Sequence, residues 1–551
     1  MKKTWWKEGV VYQIYPRSFK DANGDGMGDL RGIIQKLDYI KSLGVDIVWL
    51  CPVYKSPNDD NGYDISDYRN IMDEFGTMED FDELLAGFKE RNIKLVMDLV
   101  ANHSSDEHRW FQESRKSKGN PYRDYYYWKP GKPEGGPPNN WQSFFNGPAW
   151  EYDEATNEYY LHLFTKKQPD LNWENPKVRQ EIYDVIRYWF DKGVDGFRMD
   201  VISVISKQLA FPDSPTEDFT TLVERYYANG PRIHEFLREM NENVLRHYDI
   251  MTVGEGPGID LENGPLYVGD GRQELDMIFH FGHMFIDNGP GGKYDPVPYS
   301  FLQFKKVFAE WDKRLSEAGG WGSIFLGNHD FSRMVSRFGD DDTYWKESAK
   351  MLSTLLFTLR GTVYVYQGDE IGMTNVAFSD ISHYQDVETL NAWKAAEAAG
   401  KPMDRQLELV HMQSRDNART PLQWDSSENA GFTTGKPWLG LNPNHTSINV
   451  AAQEDDPDSI LNYYRKMVRF RKQHKDLVYG DYLDLLPDDE ALFAYERKGG
   501  KHYLIILNFS ASQHKVPLQN FENRELLISN YSSTDNSLSL QPWEAKVFLI
   551  N

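Results

Sequence analysis

The chain has 551 residues, too many for one ordinary hydrophobic core, so two or three domains are expected. Its 84 acidic and 61 basic residues give a formal net charge of −23, which disfavours nucleic acid and anionic membrane surfaces and favours a neutral ligand. The single cysteine, Cys51, excludes an intrachain disulfide and is typical of a reducing compartment, so we expect a cytoplasmic protein.

The first residues, MKKTWWKEGVVYQIYPRSF, contain no apolar run of signal-peptide length before Lys7 and Glu8. No uninterrupted apolar stretch of about 18 residues occurs in the sequence. We therefore expect neither a secretion signal nor a membrane-spanning helix.

Short runs rich in β-branched and aromatic residues alternate with helical patterns over the first two thirds of the chain. They are VVYQIYP at 10–16, DIVWLCPVY at 46–54, IKLVMDLVANH at 93–103, GVDGFRMDV at 193–201, IMTVGEG at 250–256, ELDMIFHF at 274–281, WGSIFLGNHD at 321–330 and TVYVYQGDEIG at 362–372. Eight strands alternating with helices predict an α/β fold, a (β/α)8 TIM barrel. In such a barrel the active site lies at the carboxyl ends of the strands.

The loop after the first run, DANGDGMGD at 21–29, is rich in oxygen ligands at alternate positions. These are Asp21, Asn23, Asp25, the carbonyl of Met27 and Asp29. The spacing resembles a calcium-binding loop, although the twelfth position is Gly32 instead of the glutamate of an EF-hand. We predict a structural Ca²⁺ ion, and a solvated glycine-rich turn is the alternative.

Composition changes twice along the chain. Residues 104–174, between the third and fourth runs, are rich in Gly, Pro and aromatic residues and predict a small inserted domain that overhangs the barrel mouth. SILNYYRKMVRFRKQHKDL at 459–477 predicts a further amphipathic helix, and short alternating strands follow from about residue 480. The predicted domains are 1–103 with 175–480 for the barrel, 104–174 for the inserted domain, and 481–551 for a C-terminal β-sandwich.

Ionisable residues follow several of the predicted strands: Asp98, His103, Arg198, Asp200, Glu255, His329 and Asp330. Residues two apart on a strand share a face, so Arg198 and Asp200 are expected to be neighbours. Buried charges of this kind form either a structural ion pair or a functional site. Three carboxylates at one barrel mouth, Asp200, Glu255 and Asp330, favour a site with an acid and a nucleophile.

The motifs DLVANH, GFRMDV, TVGEG and FLGNHD, in this order, resemble the four signature regions of the α-amylase superfamily of glycoside hydrolases. YQIYPRSF, SPNDDNGYDISDY, PDLNWENP and SRDNARTPLQWD resemble its oligo-1,6-glucosidase and α-glucosidase branch. That branch also contains sucrose isomerases, dextran glucosidases and trehalose-6-phosphate hydrolases. The resemblance covers essentially the whole chain.

The resemblance implies a retaining double displacement. Asp200 would be the nucleophile, Glu255 the general acid and base, and Asp330 the third carboxylate, which binds the 2- and 3-hydroxyls of the sugar. Arg198 would keep Asp200 ionised. A retaining pair needs one ionised and one protonated carboxyl group about 5–5.5 Å apart.

The resemblance also implies how a terminal glucose is bound. His103 and His329 would bind its hydroxyls, while Asp60 and Arg415 would close around its 4-hydroxyl. Tyr63 would stack beneath the ring, and Phe164 belongs to the same substrate-binding set. A pocket closed in this way would make the enzyme exo-acting.

Two positions bear on the linkage that is cleaved. In this branch a valine after the nucleophile goes with α-1,6 cleavage and a threonine or smaller residue with α-1,4 cleavage, and here the residue is Val201. Gly256 stands where α-1,6 enzymes often have methionine, so a wider leaving-group site and an α-1,4-glucosidase remain open.

Other members of the branch are alternatives. FHFGHMFIDNGPGGKYD, at 279–295, lacks the arginines that sucrose isomerases use, which favours hydrolysis, and trehalose-6-phosphate hydrolysis remains possible in principle. Related non-enzymatic transporter subunits have a membrane segment and lack catalytic carboxylates, unlike this chain. We expect a monomer that takes a small oligosaccharide or disaccharide and needs no organic cofactor.

Overall fold

Eight parallel strands form the central barrel of the computed structural model, which describes residues 3–216, 218–519, 521–532 and 535–551. They are β1 (Val10–Ile14), β2 (Ile47–Leu50), β3 (Lys94–Val100), β4 (Gly196–Asp200), β5 (Met251–Glu255), β6 (Met277–Phe279), β7 (Ser323–Ile324) and β8 (Thr362–Tyr366). Each predicted run contains one of them, so the TIM-barrel prediction is confirmed.

The strands pair in the order β6, β5, β4, β3, β2, β1, β8, β7. The hydroxyl of Ser323 on β7 donates to the carbonyl of Ile278 on β6 at 2.6 Å, which closes the ring between the two outer strands of this order. Strands such as β1 and β4 are buried along their whole length, because side chains fill the barrel and helices cover its outside.

Helices cover the outside of the barrel between successive strands. They are Leu30–Gln35, Leu37–Ser42, Met78–Glu90, Pro176–Lys192, Ile233–Asn243, Gly264–Val268, Phe301–Glu317, Trp345–Thr358 and Ile460–Gln473. The sequence encodes their ends: Thr77 and Asp80 form a capping box, while Pro176 begins a helix that ends at Gly193, whose φ is 106°. The amphipathic helix predicted near residue 460 is confirmed.

The segment between β3 and the helix Pro176–Lys192 contains a short helix and a three-stranded antiparallel sheet. The helix is Arg109–Ser114 and the strands are Trp128–Lys129, Trp150–Asp153 and Glu158–Leu161. Its aromatic side chains pack with the loop that follows β4, where Trp141 donates to the carbonyl of Pro212 at 2.9 Å. The segment therefore lies over the carboxyl ends of β3 and β4.

The region after β8 contains the helices Val387–Ala398, Met403–Gln413, Asp416–Arg419 and Val450–Glu454. The chain then ends in antiparallel strands, as predicted: Asp481–Asp484, Leu492–Lys498, His502–Asn508, Arg524–Ser529 and Ala545–Ile550, with a small pair, His514–Lys515 and Ser539–Leu540. Lys305, on a barrel helix, donates to the carbonyls of Leu486, Asp489 and Leu492 and so docks the barrel on these strands.

Among the helices that the structure describes, none is both long and apolar enough to cross a membrane.

Candidate active site

A cavity of about 180 Å³ opens at the carboxyl ends of the barrel strands. Ten of the twelve residues that the resemblance assigned to catalysis or substrate binding line it: Asp60, Tyr63, His103, Phe164, Asp200, Val201, Glu255, His329, Asp330 and Arg415. Arg198 and Gly256 do not. The residues come from the ends of several different strands and from the loops that follow them.

Arg198 lies beneath this cavity and contacts three carboxylates. Register pairs it with Asp98 on β3, and its Nη1 donates to Asp98 Oδ1 at 2.5 Å and to Asp200 Oδ1 at 2.8 Å. Its Nη2 lies 2.7 Å from Glu255 Oε2. The guanidinium is 1% exposed, and Trp49 donates to the second oxygen of Asp98 at 2.7 Å. One buried cation therefore holds the two predicted catalytic carboxyl groups side by side.

Asp200 and Glu255 both contact the guanidinium group of Arg198. Burial raises the pKa of both groups, and the charge of Arg198 opposes this effect. Two buried carboxylates close to one cation also repel each other, which favours a state in which one of the two is protonated.

Val201 has a backbone conformation that β-branched residues rarely adopt. Its φ and ψ are 36° and 39°, in the left-handed region, at a typical cost of about 1–3 kcal/mol. In this conformation its N–H donates to Glu255 Oε2 at 2.9 Å, and its side chain faces the cavity. The strained residue therefore serves both the carboxyl pair and the wall of the cavity.

Gly256 is not brought to the cavity, although its neighbours Glu255 and Pro257 line it. A Cβ atom at position 256 would lie 2.5 Å from Cδ1 of Ile259. The position therefore faces the loop 256–259, and the geometry gives no support to the expectation that this glycine widens the leaving-group site.

His329 is neutral and has a defined tautomer. Gln13 Nε2 donates to its Nδ1 at 2.8 Å, so Nε2 carries the hydrogen, 2.7 Å from the Tyr63 hydroxyl and 3.2 Å from Asp330 Oδ2. Burial, and then the nearby arginines, lower the pKa of His329 to about 3. The ring of Tyr63 stacks on that of His329, with centroids 5.3 Å apart.

Asp330 remains ionised in this environment. Burial alone would raise its pKa, but His329 and the guanidinium groups of Arg415 and Arg419, 3.3 and 3.0 Å from its Oδ1, hold the pKa below its usual value. Asp330 is thus an anion at neutral pH, in contrast to Asp200 and Glu255, whose pKa values are raised by burial.

Asp60 and Arg415 line the cavity together and contact each other. Arg415 Nη2 lies 3.3 Å from Asp60 Oδ1, and its Nε donates to Asp386 Oδ1 at 2.8 Å. Gln168, from the inserted segment, donates to Asp60 Oδ2 at 3.1 Å. Burial raises the pKa of Asp60 to about 7, against the attraction of Arg415.

Sequence reasoning missed several residues at the cavity. Phe144, Phe145, Phe281, Phe285 and Phe331 line it, together with Lys293 and Glu388, which form an ion pair of 2.5 Å. They lie in the regions that follow β3, β6, β7 and β8, with Glu388 in the first turn of the helix Val387–Ala398. The high content of aromatic residues, 14% of the chain, was a signal for the phenylalanines, and no pattern in the sequence indicated the ion pair.

The five predicted calcium ligands lie in one tight loop. The Asp21 carboxylate accepts hydrogen bonds from the N–H groups of Asn23, Gly24 and Gly26, and Asp29 caps the helix Leu30–Gln35. In the described part of the chain no three Asp, Glu, His or Cys side chains converge as a metal-binding group. An ion here would therefore also need oxygens of Asn23 and Met27, which are hard ligands of the kind that Ca²⁺ prefers.

Comparison with known proteins shows similarity along the whole chain. The model of the alpha amylase catalytic domain matches residues 13–480. An oligo-1,6-glucosidase from Parageobacillus thermoglucosidasius is 58% identical over 562 residues, which cover 100% of both chains.

Two solved structures have the same fold over their full lengths. A trehalose-6-phosphate hydrolase from Bacillus licheniformis is 47% identical, with a TM-score of 0.95 and 100% of both chains covered. An isomaltulose synthase from Erwinia rhapontici NX5 is 46% identical, with a TM-score of 0.96, and the match covers 100% of this chain and 99% of that one.

The contacts of Arg198 predict how stability depends on pH. Arg198→Met leaves three buried carboxyl groups without their cation, so the free energy of unfolding at pH 7 should fall by about 3–5 kcal/mol. In the variant, the pKa values of these three carboxyl groups in the folded state rise further above their values in the unfolded state. Protonation at lower pH therefore restores part of the lost unfolding free energy. The loss, measured by urea unfolding, should therefore shrink from pH 7 to pH 5.

Arg471→Met is the matched control, since this buried arginine donates only to the carbonyls of Phe357, Leu359, Gly361 and Leu477. The unfolding free energy that Arg471→Met loses should be the same at pH 7 and pH 5. A pH-independent loss for Arg198→Met would contradict the ion network.

Proposed function

The chain belongs to the α-amylase family of glycoside hydrolases, and from this premise we propose that it is an exo-acting, retaining α-glucosidase that removes glucose from short oligosaccharides, with a preference for α-1,6 linkages. The observation that carries the proposal is the cavity itself. Its carboxyl pair contacts Arg198, and we propose that the ion pair of Asp60 and Arg415 closes its far end.

In the proposed first step a carboxylate oxygen of Asp200 attacks the anomeric carbon, and the bond from that carbon to the glycosidic oxygen breaks. Glu255 gives its proton to the departing oxygen. In the second step water gives a proton to Glu255 and attacks the same carbon, which frees Asp200. Two displacements return the α configuration, so α-glucose is released first.

The proposed roles need the proton of the carboxyl pair on Glu255 and the negative charge on Asp200. Burial raises the pKa of both groups, that of Asp200 well above its usual value, and the charge of Arg198 opposes this effect. Arg198 Nη1 remains hydrogen-bonded to Asp200 as its negative charge is used and restored. Asp330, ionised beside His329, is placed to bind sugar hydroxyls and to stabilise positive charge on the ring.

The closed end supports removal of a single terminal glucose. Arg415 is held by Asp60, Asp386 and Glu388, and Asp60 is held in turn by Gln168. These contacts come from four separate segments of the chain and support a pocket that ends there. The internal bonds of a polymer would then not reach the carboxyl pair, so starch, which has few non-reducing ends for its mass, should be a poor substrate.

The preference for α-1,6 linkages has two supports. Val201 faces the cavity directly after Asp200, where its branched side chain would crowd a sugar bound through a secondary 4-oxygen more than one bound through a flexible 6-oxygen. The relative from Parageobacillus, 58% identical to this chain, is an oligo-1,6-glucosidase.

Charge in the cavity disfavours a phosphorylated substrate such as trehalose 6-phosphate. Five acidic side chains line it, Asp60, Asp200, Glu255, Asp330 and Glu388, against only Lys293 and Arg415. Both cations contact carboxylates, Lys293 at 2.5 Å from Glu388 and Arg415 at 2.7 Å from Asp386. A phosphate would meet a net negative surface without an available cation among these lining residues.

Sucrose isomerisation is disfavoured by the loop after β6. It contributes Phe281, Phe285 and Lys293 to the cavity and no arginine, so a fructose leaving group would find few hydrogen-bond donors that retain it. We propose that water intercepts the glucosyl intermediate and that hydrolysis is the main reaction.

A structural Ca²⁺ in the loop Asp21–Asp29 is part of the proposal. Its candidate ligands are the carboxylates of Asp21, Asp25 and Asp29, the amide oxygen of Asn23 and the carbonyl of Met27. The three carboxylates do not converge as a metal-binding group, so the ion would have to draw them together. The ion would stabilise the turn that precedes the helix Leu30–Gln35, away from the carboxyl pair. We also propose that the protein is cytoplasmic, for which the single cysteine is the support, and that it is a monomer.

The linkage preference predicts rates that are measured side by side. Isomaltose should be hydrolysed with a kcat/KM roughly 10- to 200-fold higher than maltose, since a methyl-scale difference in a pocket is worth about 1–3 kcal/mol. Val201→Thr should reduce this ratio. Val204 lies three residues further along the chain, is buried and does not line the cavity. Val204→Thr is therefore the matched control and should leave the ratio unchanged.

Sucrose, isomaltulose and trehalose 6-phosphate belong in the same experiment. If maltose is the better substrate, the protein is an α-1,4-glucosidase and Val201 does not govern linkage. If sucrose gives mainly isomaltulose or trehalulose, the argument from the loop after β6 is wrong.

Calcium binding predicts a stability that depends on the ion. A ligand that binds only the folded state stabilises it by about 2.7 kcal/mol at one hundred times its Kd, so a chelator should lower Tm. Asp25→Asn keeps the oxygen that accepts the Met27 N–H but loses the charge, and its Tm should respond less to the chelator. An unchanged Tm of the wild-type protein, with no metal by elemental analysis, would return the loop to an ordinary turn.

A further inference from the structure

A lysine ammonium group lies fully buried where the inserted segment, β3 and the loop after β4 meet. Lys207 Nζ lies 2.8 Å from Asp170 Oδ2, 2.9 Å from Asn102 Oδ1 and 2.7 Å from the carbonyl of Val204. Neither Lys207 nor Asp170 is exposed, with a relative exposure of 0% for both. The ammonium thus has three oxygen partners, one from each of the three segments.

These contacts fix the orientation of the Asn102 amide. Its oxygen accepts from Lys207, so its nitrogen must face the other way, and it donates to Asp170 Oδ2 at 3.2 Å. The same nitrogen lies 3.3 Å from Nδ1 of His103. An amide held in this way presents a hydrogen to Nδ1 and makes that nitrogen an acceptor.

His103 therefore receives a defined tautomer. Burial lowers its pKa to about 4, so the ring is neutral and has one acceptor nitrogen. The Gln168 amide nitrogen lies 3.2 Å from Nε2 and competes for that role. Its oxygen accepts from the neutral N–H of Thr165 and its nitrogen donates to the carboxyl group of Asp60, whereas the Asn102 oxygen accepts from a buried ammonium group. With Nδ1 as the acceptor, Nε2 carries the hydrogen and can donate it to a ligand in the cavity.

We propose that Lys207 is a positioning residue for substrate binding: through Asn102 it sets the tautomer of His103 and so directs the Nε2–H of His103 at a sugar hydroxyl. The proposal rests on the α-glucosidase function above, because His103 must face a sugar. Lys207 itself does not line the cavity. It also joins Asp170 to the carbonyl of Val204, so the same ion pair keeps the inserted segment seated on the barrel.

The test separates positioning from stability. Lys207→Met alone leaves Asp170 as an uncompensated buried anion and can unfold the protein, so the informative variant combines it with Asp170→Asn. The double substitution removes both charges. It also gives Asn102 an amide neighbour in place of a carboxylate, so the Asn102 side chain should turn over and His103 should carry its hydrogen on Nδ1.

The double variant should fold and show a kcat/KM on isomaltose that is lower by roughly 10- to 100-fold, mainly through a raised KM. The dissociation constant of 1-deoxynojirimycin, an unreactive mimic of glucose, should rise by a similar factor in calorimetric titration. Lys305→Met is the matched control, since Lys305 is equally buried and has three carbonyl partners far from the cavity. It should lower stability and leave KM and inhibitor binding unchanged.

The ¹⁵N chemical shifts of His103, assigned by their loss in His103→Asn, report the tautomer directly. Wild-type protein should show the hydrogen on Nε2 and the double variant on Nδ1. A double variant with wild-type KM, or wild-type protein with the hydrogen on Nδ1, would overturn the proposal. Since the shifts need no turnover, they decide it even if the protein hydrolyses none of the α-glucosides, which would refute the proposed function instead.

Discussion

The structure depends on one buried guanidinium group. Arg198 compensates Asp98, Asp200 and Glu255, three carboxyl groups that could not be buried together without it. Because all three contact one planar cation, their positions are correlated: Asp98 orients Arg198 from the neighbouring strand, and Arg198 holds the reacting pair. The contact that compensates charge inside the barrel is thus also the contact that holds the two proposed catalytic carboxyl groups, Asp200 and Glu255, side by side.

Around this centre, several segments of the chain each contribute one wall. The inserted segment supplies Phe164 and Gln168, the loop after β6 supplies Phe281 and Lys293, and the region after β8 supplies Arg415. Ion pairs join the walls, as between Lys293 and Glu388 or Lys207 and Asp170. A cavity closed by such cross-contacts fits a small neutral sugar, and its excess of carboxylates excludes anions. Specificity therefore follows from how the loops are joined, whereas the chemistry follows from the strand ends.

The barrel and the convergence of the carboxyl groups at its strand ends were predictable, because period two puts Arg198 and Asp200 on one face and a parallel barrel gathers strand ends. Loop geometry was not. No pattern pairs Lys293 with Glu388, which are distant in sequence, and the direction of Gly256 toward Ile259 depends on how its loop folds. Propensity would even argue against the left-handed backbone of Val201, which the contact of its N–H with Glu255 stabilises.

The central claim is that Asp200, held by Arg198, forms a covalent bond to glucose. It is tested most directly by incubating the protein with 5-fluoro-α-glucosyl fluoride, whose glucosyl ester forms faster than it is hydrolysed, followed by peptide mass spectrometry. The account predicts one adduct per chain, located on Asp200 and missing in Asp200→Asn. An adduct on Asp330 or Glu255, or turnover of the reagent without any adduct and with release of the β anomer, would contradict it.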